Sequence, residues 1–347
     1  MKALVVHPGQ PNSASLREVP EPDPHLGEIL VETLAVGVCG TDREIIAGEY
    51  GAAPAEDDYL ILGHESLGRV LEAPADGELQ PGDLVAGIVR RPDPVPCPSC
   101  AVGEWDMCTN EKYTEHGIKG LHGFCAERFR VTTSHAVKLA PNLENVGVLV
   151  EPASVVAKAW QHIERIGNRA HWSPSRVLVT GAGPIGLLAA LLGVQRGFDV
   201  HVLDLAEDGL KPELVEELGA TYHHDGIQEA CCGADIVVEC TGVGRLVYEA
   251  TQCNAHSGIV CLTGISSGQR AIDVDWAELN RRIVLENDVV FGTVNANREH
   301  YELAADALKE ANNEWLERLI TRRIPIDNWQ AILERPVDDV KTVITFD

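Results

Sequence analysis

Val177-Leu178-Val179-Thr180-Gly181-Ala182-Gly183-Pro184-Ile185-Gly186 decides how the second half of this chain folds. A short apolar run reaches three glycines in G-x-G-x-x-G spacing, and an apolar, helix-forming stretch to Gly197 follows at once. In that context Gly181 permits a tight turn and Gly183 lets the backbone approach a pyrophosphate. Gly186 lets helix and strand pack closely, and the phosphates sit at the helix N-terminus, beside Pro184 and Ile185. The next apolar stretch, 199–205, carries Asp204 near its end, where a carboxylate accepts hydrogen bonds from the adenosine ribose. Leu205, Ala206, Glu207 and Asp208 follow with no Arg or Lys among them to pair a 2′-phosphate, so the expected cofactor is NAD in preference to NADP.

Working outward, the alternation continues through a helical stretch from Ser154 to Ile166 and then 177–183, 185–197, 199–205, 212–219, 234–242 and 258–265, strand alternating with helix. Such alternation implies a doubly wound parallel sheet of βαβ units. The first 150 residues differ. They hold short β-rich pieces separated by Pro and Gly, which predicts a small β domain, and the last fifty or so residues hold two polar helices and a terminal strand, 341–346.

The β-rich half carries candidate metal ligands. Cys39 lies in Val38-Cys39-Gly40-Thr41-Asp42 and His64-Glu65 in Gly63-His64-Glu65-Ser66-Leu67-Gly68-Arg69-Val70; Glu151 closes the apolar run Val148-Leu149-Val150. Thiolate, imidazole and carboxylate are together a zinc donor set, although each residue alone has a structural or solvated reading.

These segments, with the glycine fingerprint downstream, resemble the zinc-dependent medium-chain dehydrogenases along essentially the whole chain. Within that superfamily the chain is most similar to the archaeal-type glucose 1-dehydrogenases, through Cys39 to Ile45, Glu115-His116-Gly117-Ile118 leading into Leu121-His122-Gly123-Phe124, and Gly292-Thr293-Val294-Asn295 with His300. The resemblance implies a GroES-like catalytic domain over 1–155 and 298–347 and a Rossmann domain over 156–297. It implies a catalytic zinc on Cys39, His64 and Glu151, with Glu65 ligating or swinging between metal and solvent, and a proton relay through Thr41. Thr41, Glu65, Glu115, Glu151 and Asn295 would surround the sugar, and Thr241, Gly264 and Asn295 would join the cofactor site. At Pro152-Ala153-Ser154-Val155 the chain lacks a carboxylate that some sugar-specific relatives carry, so the resemblance leaves the sugar unnamed.

The chemistry this set would perform is hydride transfer. Zinc lowers the pKa of an alcohol oxygen and holds its developing charge, so C1 of an aldose, most simply D-glucose, can pass hydride to the nicotinamide and leave as the lactone. Polar groups near the metal suit a polyhydroxylated substrate, because buried polar groups left unpaired penalise an aliphatic alcohol. A different aldose, a polyol or an amino alcohol are the neighbouring readings. A silent NAD-binding scaffold or redox sensor is the one from another class.

Cys97-Pro98-Ser99-Cys100 with Cys108 supplies three donors of a second zinc lobe. By resemblance the fourth ligand falls at Pro94, which cannot ligate; adjacent Asp93 is the replacement donor, and reduced, metal-free cysteines are the alternative. Cys125, Cys231, Cys232, Cys240, Cys253 and Cys261 read as buried small hydrophobes.

Length and charge bound the rest. The 347 residues suffice for two domains, and 53 Asp+Glu against 28 Lys+Arg give a formal net charge of −25. Nucleic acid and anionic membranes would repel such a surface. With no export signal and no spanning stretch, a cytoplasmic location is expected, and by resemblance a dimer or tetramer. Only 8 of the 28 basic residues are Lys. An acidic, lysine-poor surface is tolerated in concentrated salt, where repulsion is screened within about 3 Å; an ordinary acidic enzyme is the other reading.

Overall fold

The computed structural model describes residues 1–230, 233–266 and 271–346. Cys231 and Cys232 lie outside the described residues. The chain divides into two compact units, Met1–Ser154 with Asn295–Asp347, and Val155–Val294. Asn295 therefore belongs to the first unit, rather than to the 156–297 segment in which the sequence places it.

In the first unit a seven-stranded sheet runs in the order Ala136–Leu139, Leu84–Gly87, Glu65–Glu72, Ile29–Val38, Thr342–Thr345, Arg322–Pro325, with Arg128–Val131 also pairing with Ile29–Val38. The long central strand alternates at its start, burying Ile29, Val31 and Thr33 while Glu32 faces solvent. At its end Gly37 stands opposite Glu65, and a Cβ there would lie 2.1 Å from Glu65 Oε2. The missing side chain is what gives the Glu65 carboxylate its place. Leu4, Val5, Val36, Leu60, Phe124, Phe129 and Ile344 fill the core beneath.

Six parallel strands form the second unit, in the order Thr221–His223, Asp199–Leu203, Arg176–Thr180, Ala234–Glu239, Asn254–Leu262, Val289–Gly292. Numbered by sequence this is 3-2-1-4-5-6, the Rossmann order, whose direction of winding reverses between Arg176–Thr180 and Ala234–Glu239. Val177, Leu178 and Val179 are fully buried, as strands covered on both faces require. Several short strands escape the sequence reading, Thr221–His223, Val289–Gly292 and Arg322–Pro325 among them. Each of these is three or four residues long, and the first and last are rich in polar residues, too little for a period to register. Cys125, Cys253 and Cys261 are buried as expected, whereas Cys240 is only half-buried.

Candidate active site

Helix Gly40–Ile46 fixes the first donor. Cys39 is its N-cap, with its sulfur accepting from Thr41 N–H (3.2 Å) while its own N–H donates to Asp42 Oδ2 (2.8 Å). The other oxygen of Asp42 lies 3.4 Å from His64 Nδ1. One buried aspartate thus holds the backbone of the first donor and turns His64 so that Nε2 faces the Cys39 sulfur at 3.3 Å. Ordinary zinc bond lengths in a tetrahedron set sulfur and nitrogen on the order of 3.6 Å apart.

Cys39, His64 and Glu65 offer donor atoms that all lie within 4.8 Å of one another. Glu65 is 2% exposed and paired with the equally buried Lys341, whose Nζ donates to Oε1 (2.5 Å) and to the carbonyl of Val38 (3.2 Å). Burial opposes charge on His64, yet the Cys39 thiolate and Asp42 outweigh it and hold its pKa well above the usual value. The donors and their geometry fit zinc.

Glu151 is not a member of that group. It lies within the first turn of the helix Val150–Gly167, not ahead of it as the sequence suggests, because the apolar run before it is itself helical. Burial pushes its carboxyl up to about 7; His64 draws it down and Glu65 pushes it further up, so it shares the field of the donor group. The Thr41 hydroxyl has no protein hydrogen bond among the described residues.

Glu115 and Asn295 are brought together. Glu115 is 5% exposed, and its Oε1 accepts from Arg90 Nε (3.1 Å), Arg90 Nη2 (3.0 Å) and Asn295 Nδ2 (2.6 Å). Arg90 is itself fixed by the carbonyl of Asp106 (3.2 Å) and the ring of Tyr113 at 3.7 Å. All of these bonds go to Oε1, which leaves Oε2 as the acceptor available for a ligand hydroxyl.

In the second lobe the sulfurs of Cys97, Cys100 and Cys108 converge within 4.8 Å, but Asp93 is not among the converging donors. Its oxygens are taken by Val95 N–H (2.8 Å) and the amide of Asn110, whose carbonyl oxygen in turn accepts from Cys108 Sγ (2.9 Å).

The glycine fingerprint in the second unit is built as expected. Gly181 has φ +92°, and a Cβ on Gly186 would lie 1.7 Å from the Gly181 carbonyl oxygen. A Cβ on Gly183 would meet only open space, which is the room a pyrophosphate needs before the N-terminus of the helix Pro184–Gln195. Asp204 accepts from Ala182 N–H (2.6 Å) and Leu205 N–H (2.8 Å), but it also pairs with Lys211 at 3.2 Å. The expectation that no cation stands at this strand end is therefore corrected: helix Leu210–Glu217 folds back and returns a lysine from seven residues on. Thr241 and Gly264 meet around the buried Glu239, which accepts from the N–H groups of Thr241 and Gly242 and from the Thr241 hydroxyl. Gly264 has no space for a side chain, since a Cβ there would lie 2.2 Å from Gly242 N.

Asp42, Lys341 and Arg90 were not singled out from sequence. Asp42 leaves a signal, the carboxylate three residues after a helix-capping position. Lys341, 276 residues from Glu65, and Arg90, 25 from Glu115, leave none.

Two family models match the chain, the glucose dehydrogenase C-terminus over residues 144–346 and the alcohol dehydrogenase GroES-like domain over residues 25–141. Glucose 1-dehydrogenase of Methanocella arvoryzae is 40% identical over 99% of both chains, and that of Thermoproteus tenax 41% identical over the same shares. Among solved structures, Haloferax mediterranei glucose dehydrogenase in complex with NADP, zinc and gluconolactone superposes with a TM-score of 0.90 at 33% identity, covering 100% of this chain and 99% of that one. With this donor set and this fold along its full length, the chain belongs to the glucose dehydrogenase family of zinc-dependent medium-chain dehydrogenases.

Proposed function

We propose that this protein oxidises D-glucose at C1 to the 1,5-lactone, passing hydride to NAD in preference to NADP. The reading is carried by the Cys39, His64 and Glu65 donor group, in a chain that also holds an intact glycine cradle and is similar throughout to the Haloferax enzyme solved with zinc, NADP and gluconolactone. The first unit, Met1–Ser154 with Asn295–Asp347, is the catalytic domain, and Val155–Val294 binds the dinucleotide.

Cys39, His64 and Glu151, with Glu65 of the converging donor group ligating directly or exchanging between metal and solvent, would hold zinc, and the metal would supply Lewis acidity at the sugar oxygen. Asp42 orients His64, and Lys341 pairs with Glu65 and holds its carboxylate within reach of the donor group. Glu115 Oε2 and Asn295 take sugar hydroxyls, and the free Thr41 hydroxyl receives the proton released as the C1–O–H bond becomes a carbonyl. The C1 hydrogen leaves with its electron pair, so the products are lactone, reduced nicotinamide and one proton.

Initial rates with glucose, galactose, xylose, sorbitol and threonine, each with NAD and NADP and at low and multimolar salt, test this reading. Glucose turnover should exceed that of the polyol and the amino alcohol, and rise with salt if the acidic surface is adapted to it. Negligible turnover of every aldose would refute the substrate. For the cofactor, Asp204 favours the free ribose hydroxyls and Lys211 tempers the preference. Asp204→Ala should weaken NAD by roughly 10-fold, the value of one or two charge-assisted hydrogen bonds, and leave NADP less affected. A wild type that already prefers NADP would overturn this assignment.

We place a second zinc on Cys97, Cys100 and Cys108, with Asp93 completing the set once it releases Asn110. Metal analysis should then give two zinc per chain, and one in Cys97→Ser; one in both would remove the second site. The sugar partner is neutral, so the surface charge costs little at encounter. No described helix is long and apolar enough to cross a membrane, and a cytoplasmic location suits the reading. Self-association into a dimer or tetramer through the open edge of Val289–Gly292 completes it, with light scattering as the measurement.

A further inference from the structure

The strand Arg90–Arg91 presents two arginines with different fates. Successive strand side chains point to opposite faces, so Arg91 turns away from Glu115. Its Nη1 donates to the carbonyl of Ile88 (2.6 Å) and, more distantly, to that of Arg90 (3.5 Å), and no carboxylate pairs with it among the described residues. Burial holds its pKa below the usual value, and only the Tyr301 phenol acts against that.

Ile88 donates its own N–H to the carbonyl of His135 (2.8 Å), which sets the Arg91 head group against the turn carrying His135. His135 Nδ1 faces the hydroxyls of Thr132 and Ser134, both at 2.9 Å, while its Nε2 is buried with no partner. The indole of Trp105 tilts against the same imidazole with ring centroids 5.3 Å apart, and its Nε1–H is also buried with no partner. Other charges near His135 are committed. Arg298 spends its guanidinium on the carbonyls of Thr133 and Ala136 and on Glu302, and the exposed Glu28 takes the N–H and hydroxyl of Thr133 on Oε1.

Buried donors are nearly always satisfied, so two orphans on a pair of touching rings, one of them the imidazole that feels the Arg91 charge, call for an occupant. An indole N–H can only donate. With one of these hydroxyls assigned as the donor to Nδ1, the His135 proton is placed on Nε2, and that nitrogen donates as well. A water molecule would bring two more donors into a set that already lacks acceptors, and it would leave the Arg91 charge uncompensated. An anion accepts from all three groups and cancels the charge. We propose that Arg91, Trp105 and His135 form a buried site for one small monovalent anion, chloride in ordinary solution. Bound there, it ties together the segments at 88–91, 105 and 132–135. It stands independently of which sugar the enzyme oxidises.

Bromide is the probe. Crystals of the full chain grown in potassium bromide should show a bromine anomalous peak within about 3.5 Å of nitrogens from all three side chains. In melting experiments at fixed potassium and ionic strength, exchanging acetate for chloride should raise the wild-type Tm, and Arg91→Met should abolish the chloride-specific rise. Should Arg91→Met fail to fold, Trp105→Phe keeps the ring and removes one donor, and it should raise the half-saturating chloride concentration by about tenfold. Water in place of a bromide peak, peaks at surface sites only, or equal chloride dependence in wild type and variants would overturn the site.

Discussion

Cys39→Ala is expected to lose one zinc per chain and about 10³-fold or more in turnover, while the dissociation constant for NADH stays within about twofold. The size follows from what the metal does: several kcal/mol of charge stabilisation at the reacting oxygen, each 1.4 kcal/mol being a factor of ten. The selectivity follows from where the residues lie. Cys39 caps the helix Gly40–Ile46 in the first unit, whereas Gly181, Gly183, Gly186 and Asp204 belong to the second. Removal of the sulfur also takes away the acceptor of Thr41 N–H and the anion facing His64. The imidazole then keeps Asp42 alone as its counter-charge. Metal analysis, steady-state rates and NADH fluorescence titration together give the answer. Retained turnover with retained zinc would refute the ligand assignment, and a parallel loss of NADH binding would point to general misfolding instead.

How much of this was legible in the sequence depends on whether a contact is local. The glycine fingerprint is a local device: a turn, a close approach and a helix start within ten residues, each forced by the absence of a Cβ, and the structure reproduces it atom by atom at Gly181 and Gly186. Cys39, His64 and Glu65 were legible as residue types, and the structure adds how they are held. Lys341 could not be read, because the charge it balances lies 276 residues away and comes near only when Thr342–Thr345 joins the sheet beside Ile29–Val38. Lys211 shows the opposite hazard. It is near in sequence to Asp204 yet was passed over, because only a helix turning back after the loop makes seven residues a salt-bridge distance. Asp93 shows a third limit, since residue type beside a ligand position does not reveal that Val95 and Asn110 occupy its oxygens.

The second large effect is expected at Lys341, and its size should depend on the metal. Lys341 and Glu65 are each 2% exposed, and the lysine is drawn by Glu65, Cys39 and Glu151 together, so its pKa is raised although burial alone would lower it. Lys341→Met conserves much of the volume but leaves the Glu65 carboxylate buried and unpaired, a change that typically costs about 3–5 kcal/mol. Measured by urea unfolding of the metal-stripped protein, that loss should appear in full. With zinc bound beside Glu65, the carboxylate gains a second cation, and the loss should shrink by about 1.5 kcal/mol or more. The cycle that links folding and binding then requires the folded variant to hold zinc more tightly than wild type by the same free energy, about tenfold. Lys341→Arg, which keeps the charge in a different shape, should fall between wild type and the methionine variant. Equal destabilisation with and without zinc, or weaker zinc binding in Lys341→Met, would mean that Lys341 merely fills space. The predicted combination, a less stable protein with a tighter metal, arises only if the lysine and the zinc compete for one carboxylate.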